Sequence, residues 1–122
     1  MQCPKCYGDM DRVSESPVFV DRCNQCQGLY FDQLSQSLLD AMGDDTSIDS
    51  GDEEVGAEYD EMVYVECPKC DRIMDQRQLD EPVRIRFELC PSCHSTFLDA
   101  GELRVYLGEE ARSHFRSLLP SA

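Results

Sequence analysis

Basic residues are scarce in this chain, with 11 lysines and arginines against 25 aspartates and glutamates over 122 residues, for a net charge of −14. Nucleic acid and anionic membrane surfaces are held chiefly by clustered Lys and Arg, so a general affinity for either is disfavoured. Long apolar runs are missing as well: Met62-Val63-Tyr64-Val65 falls far short of the ~20 residues that a spanning helix needs, and no membrane association is expected. No apolar leader stands before Cys3, which points to a reducing, cytoplasmic compartment. Histidine is limited to His94 and His114, too isolated to suggest a catalytic pair, and both read as surface or packing residues.

Cysteine, by contrast, is plentiful and occurs in one arrangement. All eight fall in four C-x-x-C pairs: Cys3 and Cys6, Cys23 and Cys26, Cys67 and Cys70, Cys90 and Cys93. The pairs belong to an internal duplication, because Cys3-Pro4-Lys5-Cys6 recurs as Cys67-Pro68-Lys69-Cys70, Met10-Asp11 answers Met74-Asp75, and Tyr30-Phe31-Asp32 answers Phe97-Leu98-Asp99. Each repeat has only about forty residues, a length at which a hydrophobic core alone is usually insufficient and a staple is needed. In a reducing compartment that staple is metal, and two knuckles brought together by a hairpin offer zinc four thiolates in a tetrahedron. Two zinc ions are therefore expected, one on Cys3, Cys6, Cys23 and Cys26 and one on Cys67, Cys70, Cys90 and Cys93. Iron in a rubredoxin-like site is the competing metal. With all four coordination positions taken by protein no water is activated, so the centres read as structural and the chain as a non-enzyme. A thioredoxin-type role needs a C-x-x-C opening a helix after a strand in an α/β pattern, which is absent.

Alternation of Val83, Ile85, Phe87 and Leu89 with Arg84, Arg86 and Glu88 marks a strand with one buried face that leads to Cys90. Asp71 to Leu79 reads as its outgoing arm, with Asp80-Glu81-Pro82 at the tip, and Val63 and Val65 as a strand entering the knuckle. The first hairpin is shorter, over residues 10–22, with a turn at Ser14-Glu15-Ser16-Pro17 and with Val18 and Val20 facing in. Gly28-Leu29-Tyr30-Phe31 is a short extended run whose aromatics are expected to pack on the metal centre. Asp32 is expected to cap a helix carrying Leu34, Leu38, Leu39 and Met42 up to Gly43. Asp99-x-x-Glu102 is a candidate capping box for a C-terminal helix with the stripe Leu103, Leu107, Ala111, Phe115 and Leu119. Gly108 interrupts that stripe, so one long helix and two short ones are both open. Residues 43–61 hold nine acids, no base and no periodic apolar pattern, and are expected to form a mobile acidic linker. Lys5 and Lys69 place a cation beside each centre, either as tuning groups or as solvated lysines.

Cys-Pro-x-Cys, a hairpin, Cys-x-x-Cys and an aromatic-aliphatic-Asp-x-Gly-Glu-Leu run together resemble the small zinc-ribbon domain described as the transcription-factor-IIB-type zinc finger. The second repeat carries the likeness in Phe97-Leu98-Asp99-Ala100-Gly101-Glu102-Leu103. The first keeps Gly28, Tyr30, Phe31 and Asp32 but has Leu34-Ser35 in place of Gly-Glu, and the second has Ser95 in place of the glycine. In both repeats a Tyr or Phe stands where the family usually has Trp. The likeness implies cysteine ligands and a ribbon fold, and no particular activity. A narrower likeness lies at the second hairpin tip: Arg77-x-x-Asp80-Glu81-Pro82 is similar to the tip of the eukaryotic transcript-cleavage elongation factor. It implies an acidic pair that reaches into a polymerase active site beside a magnesium ion.

The expected fold is a small, metal-stabilised α+β one, with two zinc-ribbon hairpin units each followed by a helix. Residues 1–42 form the first unit, 43–61 the linker and 62–122 the second unit. The helix stripes of both units need cover, and a single shared core with the linker looped out provides it. The expected function is that of a structural zinc-binding protein, acting as an interaction or scaffold module for an unidentified protein partner, with the link to transcription suggested by the resemblance. The alternative is a nucleic-acid or RNA-polymerase-associated factor that uses Arg77, Arg84 and Arg86 or the Asp80-Glu81 tip.

Overall fold

The computed structural model describes residues 1–62 and 64–121. Its framework is one three-stranded unit, used twice. In the first copy β1 (Met10–Ser14) and β2 (Val20–Cys23) form the expected hairpin and β3 (Leu29–Phe31) returns beside β2; α1 (Gln36–Met42) and α2 (Glu53–Tyr59) follow. In the second, β4 (Asp75–Leu79) pairs with β5 (Ile85–Leu89) and β6 (Thr96–Leu98) with β5, before α3 (Glu102–Tyr106) and α4 (Arg112–Ser117).

The copies join edge to edge. β3 and β6 pair antiparallel, with Tyr30 opposite Phe97 and Leu29 opposite Leu98, so the strand order β1-β2-β3-β6-β5-β4 makes one six-stranded sheet. A third strand added to a lone hairpin leaves its outer N–H and C=O groups unpaired, and the matching strand of the other copy satisfies them.

Alternation along these strands separates two cores. One face collects Val20, Leu29, Phe31, Ile85, Phe87 and Leu98 beneath helices that contribute Leu39, Leu103 and Phe115, with the Phe87 and Phe115 rings edge-on at 5.2 Å. Each such side chain contributes roughly 1.5–3 kcal/mol by leaving water, so the shared face offsets the shortage of core that the repeat length imposes. α1 of the first copy meets α4 of the second. Gln36 N–H donates to the Pro120 carbonyl at 2.9 Å and Arg116 pairs with Asp40 at 2.8 Å. The opposite face holds the cysteines with Tyr30, Val65, Met74 and Phe97. Tyr30 and Phe31, expected together on the metal centre, thus divide between the faces, and only Tyr30 joins the cysteines.

Several local expectations change. Ser35, not Asp32, caps α1, its Oγ accepting from the Leu38 N–H; Asp32 lies 3.3 Å from Lys69 instead. The helix stops at Gly43, whose φ is 71°. Asp99 and Glu102 make half of a capping box, with Glu102 Oε1 accepting from the Asp99 N–H at 2.7 Å. The carboxylate that receives the first N–H groups of α3 belongs to Asp49, which accepts from Gly101 and Arg104 at 2.8 and 3.0 Å. Gly108 does divide the last stripe into two short helices.

Residues 43–61, read as mobile, instead contain α2 and the buried carboxylates of Asp49 and Asp60. The composition concealed a close fit: a Cβ added at Gly56 would meet the Ala100 carbonyl oxygen at 2.1 Å, so α2 lies directly on the loop before α3. Of the strand expected to enter the second knuckle, Val63 lies outside the described residues. Val65 is buried, and Glu66 makes an isolated bridge to Ile73.

Candidate metal centres

Each C-x-x-C pair folds as the same tight turn. The first cysteine's N–H donates to the carbonyl five residues on, Cys3 to Gly8, Cys23 to Gly28, Cys67 to Arg72 and Cys90 to Ser95, at 2.7–3.0 Å. The residue after the second cysteine is left-handed in every case: Tyr7, Gln27, Asp71 and His94 have φ between 60 and 64°. A side chain held there costs on the order of 1–3 kcal/mol and persists only where the surroundings over-determine it. Here the turn aims two sulfurs at one point, and His94 has a backbone role.

The eight cysteines gather as two clusters, Cys3, Cys6, Cys23 and Cys26, and Cys67, Cys70, Cys90 and Cys93. Sulfurs lie 3.7 Å (Cys3 to Cys26) and 3.3 Å (Cys6 to Cys23) apart in the first, 3.6 Å (Cys67 to Cys93) and 3.2 Å (Cys70 to Cys90) in the second. All are free thiols, and a disulfide would bring them to ~2.05 Å. A tetrahedral zinc with Zn–S of ~2.3 Å spaces its sulfurs by ~3.8 Å, so both sets fit that ion in donor chemistry and nearly in spacing. The crowded thiols oppose one another. A hydrogen bond from Cys26 pulls Cys3 down to about 5 while Cys26 itself is held far above the ordinary thiol range, and the contact with Cys90 pushes Cys70 up to about 12. A dication that accepts four thiolates removes the conflict.

Residues 2–35 match the transcription factor zinc-finger family, a zinc ribbon of the transcription-factor-IIB type. The match spans the four cysteines of the first cluster. The second cluster repeats its order of knuckle, hairpin, knuckle and third strand, consistent with two ribbons in tandem. Zinc is the usual metal of such ribbons, and both clusters suit it. No curated protein and no solved structure matches the chain.

The two ribbons differ in what surrounds them. Lys69 of the second forms a half-exposed pair with Asp32 of the first at 3.3 Å. Its counterpart Lys5 is buried, with Nζ 2.8 Å from Asp99, 3.0 Å from Glu88 and 3.0 Å from the Tyr59 carbonyl, and 5.5 Å from the centre of the Phe97 ring. Burial alone would lower the Lys5 pKa; the charges of Glu88 and Asp99 outweigh it and raise the value. Burial likewise lifts Glu88 to about 7 and Asp99 to about 6 against the pull of Lys5, and lifts Glu102 to about 10 with help from the Asp99 charge. The alternation had placed Glu88 on a solvent face beside Arg84 and Arg86. That face is covered too, by the first ribbon's knuckle and by α2. The available signal was the duplication itself, which sets Tyr30 and Phe97 at equivalent positions that one sheet brings into register.

A second difference lies at the position of the ribbon glycine. In the first ribbon Gly28 leaves room for Phe97, whose ring would stand 2.3 Å from an added Cβ. In the second, Ser95 occupies that place and its Oγ meets the Tyr30 hydroxyl and Cys93 Sγ, both at 2.8 Å. Of the hairpin arginines, Arg84 pairs with Asp60 at 2.8 Å, Arg86 reaches the Met62 carbonyl at 3.5 Å, and Arg77 is exposed. Asp80 and Glu81 are exposed at the tip.

Proposed function

We propose that this protein is a non-enzymatic scaffold in which two zinc-loaded ribbons, fused through one sheet, bind a protein partner with their knuckle end. The observation that carries the reading is the apolar surface there. Met1 and Tyr7, 58% and 68% exposed, line a groove of about 420 Å³ that runs from Pro4 of one ribbon to Pro68 of the other, with the exposed acids Glu66 and Asp71 at its second-ribbon side. Ile73 and Tyr64 are exposed near the second knuckle. Clustered exposed aromatic and apolar side chains mark contact surfaces more often than chance. Closed four-cysteine sites support the structural role of the metal, since they leave no position for a reacting water.

The nucleic-acid alternative has less support, because Arg84 is committed to Asp60 and few free cations remain on the second hairpin. The link to transcription rests on the family's description. Among the described residues no helix is long and apolar enough to cross a membrane. A photo-crosslinking amino acid at position 7 of the zinc-loaded protein tests the reading in a cell extract. It should capture one discrete protein, whereas the same probe at position 15 on the first hairpin tip should not. Capture of nucleic acid alone, or equal labelling from both positions, rejects it.

A further inference from the structure

The linker and the second ribbon enclose a group of carboxylates that the four-cysteine centres do not use. Asp60, at the C-terminal end of α2, and Asp99 and Glu102, at the start of α3, each present an oxygen such that the three lie within 4.8 Å of one another. Acidic side chains gather on many surfaces without binding anything. Two observations set this group apart. The side chains of Asp60 and Asp99 are only 8% and 2% exposed, and Oδ1 of each has no N–H or hydroxyl donor beside it; the polar neighbour of Asp60 there is the Glu102 carboxyl itself. A buried carboxylate oxygen left unpaired is strongly destabilising unless a proton or a cation meets it.

The charges also fail to balance. With Glu88, whose Oε2 is likewise buried and unpartnered, the group has four carboxylates; the cations paired with it are Lys5, through Glu88 and Asp99, and Arg84, through Asp60. When all are ionised, two negative charges are left uncompensated. Arg86, on the same face of β5, turns to the Met62 carbonyl and forms no ion pair among the described residues. One divalent cation supplies the missing charge.

Access is present as well. A cleft of about 310 Å³ opens beside the group, lined by Asp60, Arg84, Glu102 and Tyr106 among others, with room for the waters that complete a coordination shell. Glu102 is already aimed by its own bonds: Oε1 accepts from the Asp99 N–H at 2.7 Å, and Oε2 lies 2.9 Å from the Tyr106 hydroxyl. Such outer partners hold a ligand's orientation.

We propose that Asp60, Asp99 and Glu102 form a third metal site, for a hard divalent cation of the calcium or magnesium class. Three oxygen donors with no sulfur or nitrogen select such ions over zinc. The ion ties α2 to the start of α3, and so makes the packing of the acidic segment on the second ribbon depend on it. The site is independent of the proposed partner surface, and its failure leaves that reading untouched.

Calorimetric titration of the zinc-loaded full chain with calcium and, separately, magnesium tests the site in divalent-free buffer at 0.15 M salt. One equivalent of at least one ion should bind with a Kd at or below ~1 mM, and saturation should raise the melting temperature. Asp60→Asn and Glu102→Gln should each weaken binding by about tenfold or more while retaining both zinc ions, and Glu15→Gln should titrate as the parent does. Should the variants fold poorly, manganese with the unaltered protein gives the answer by NMR: amide broadening should centre on Asp60 and on residues 99–102. No saturable binding by any of the three ions overturns the proposal, since protons then neutralise the group. So does broadening spread evenly over the acids of residues 44–54, which marks a diffuse ion atmosphere.

Discussion

The Tyr30 hydroxyl of the first ribbon donates to Ser95 Oγ of the second at 2.8 Å, and Ser95 Oγ, whose single proton is shared between the Asp32 carbonyl at 3.1 Å and Cys93, is 2.8 Å from Cys93 Sγ. An aromatic tip from one repeat therefore supports a metal ligand of the other. Ser95→Ala leaves the buried Tyr30 hydroxyl without that partner and should cost about 1–3 kcal/mol in denaturant unfolding, whereas Tyr30→Phe should cost about 0.5–1.5. The double variant should lose less than the sum of the two. Competition with a chromophoric chelator should show the second centre weakened by roughly tenfold in Ser95→Ala and the first unchanged.

The two knuckle lysines should behave very differently despite equivalent positions. Lys5→Met strands Glu88 and Asp99 in the interior and should destabilise the zinc-loaded protein by roughly 3–5 kcal/mol. Lys69→Met removes a half-exposed pair and should change stability by less than about 1 kcal/mol. Equal effects in urea titration would contradict the asymmetry.

Metal removal should act on the whole chain. Cys90→Ser should lower the metal content from two ions to one, and because β3 and β6 share a sheet the remaining ribbon should also melt earlier, in a single transition. Two separate transitions would show that the ribbons stand independently.

Glu102 gives the stability a pH dependence of definite sign. Its carboxyl, raised from 4.5 to about 10 by burial and then by the charge of Asp99, keeps its proton longer in the folded than in the unfolded chain. The contribution is whole below pH 4.5 and is lost as the pH rises toward 10. In divalent-free buffer, chemical stability should therefore fall between about pH 6 and 9, where thiolates still hold their metal, and Glu102→Gln should flatten the slope.

Free nucleic acid should bind weakly. Arg84 is paired with Asp60 and the chain carries −14, so mixed-sequence DNA or RNA at ~0.15 M salt should show a Kd above ~10 µM by fluorescence anisotropy. Sub-micromolar binding that disappears on replacing Arg84 and Arg86 would favour the alternative function.

The cysteine spacing and the duplication by themselves determined both four-cysteine groups, the two hairpins, the stop at Gly43 and the helix stripes. These are local matters: a C-x-x-C turn, a period of two and a period near four are each written within a few adjacent residues. Tertiary structure alone decided that β3 meets β6, that Lys5 is buried while Lys69 is not, that Asp49 caps a helix fifty-two residues away, and that the acidic segment packs as α2 on Ala100. Composition marked that segment for solvent because its nine acids outweigh the short stripe of Val55, Tyr59 and Met62. Its place is instead set by a few scattered contacts: Val55 and Tyr59 of α2 pack against the cysteine core and Ile48 against the other, while Asp49, Asp60 and Gly56 meet partners in the other half of the chain.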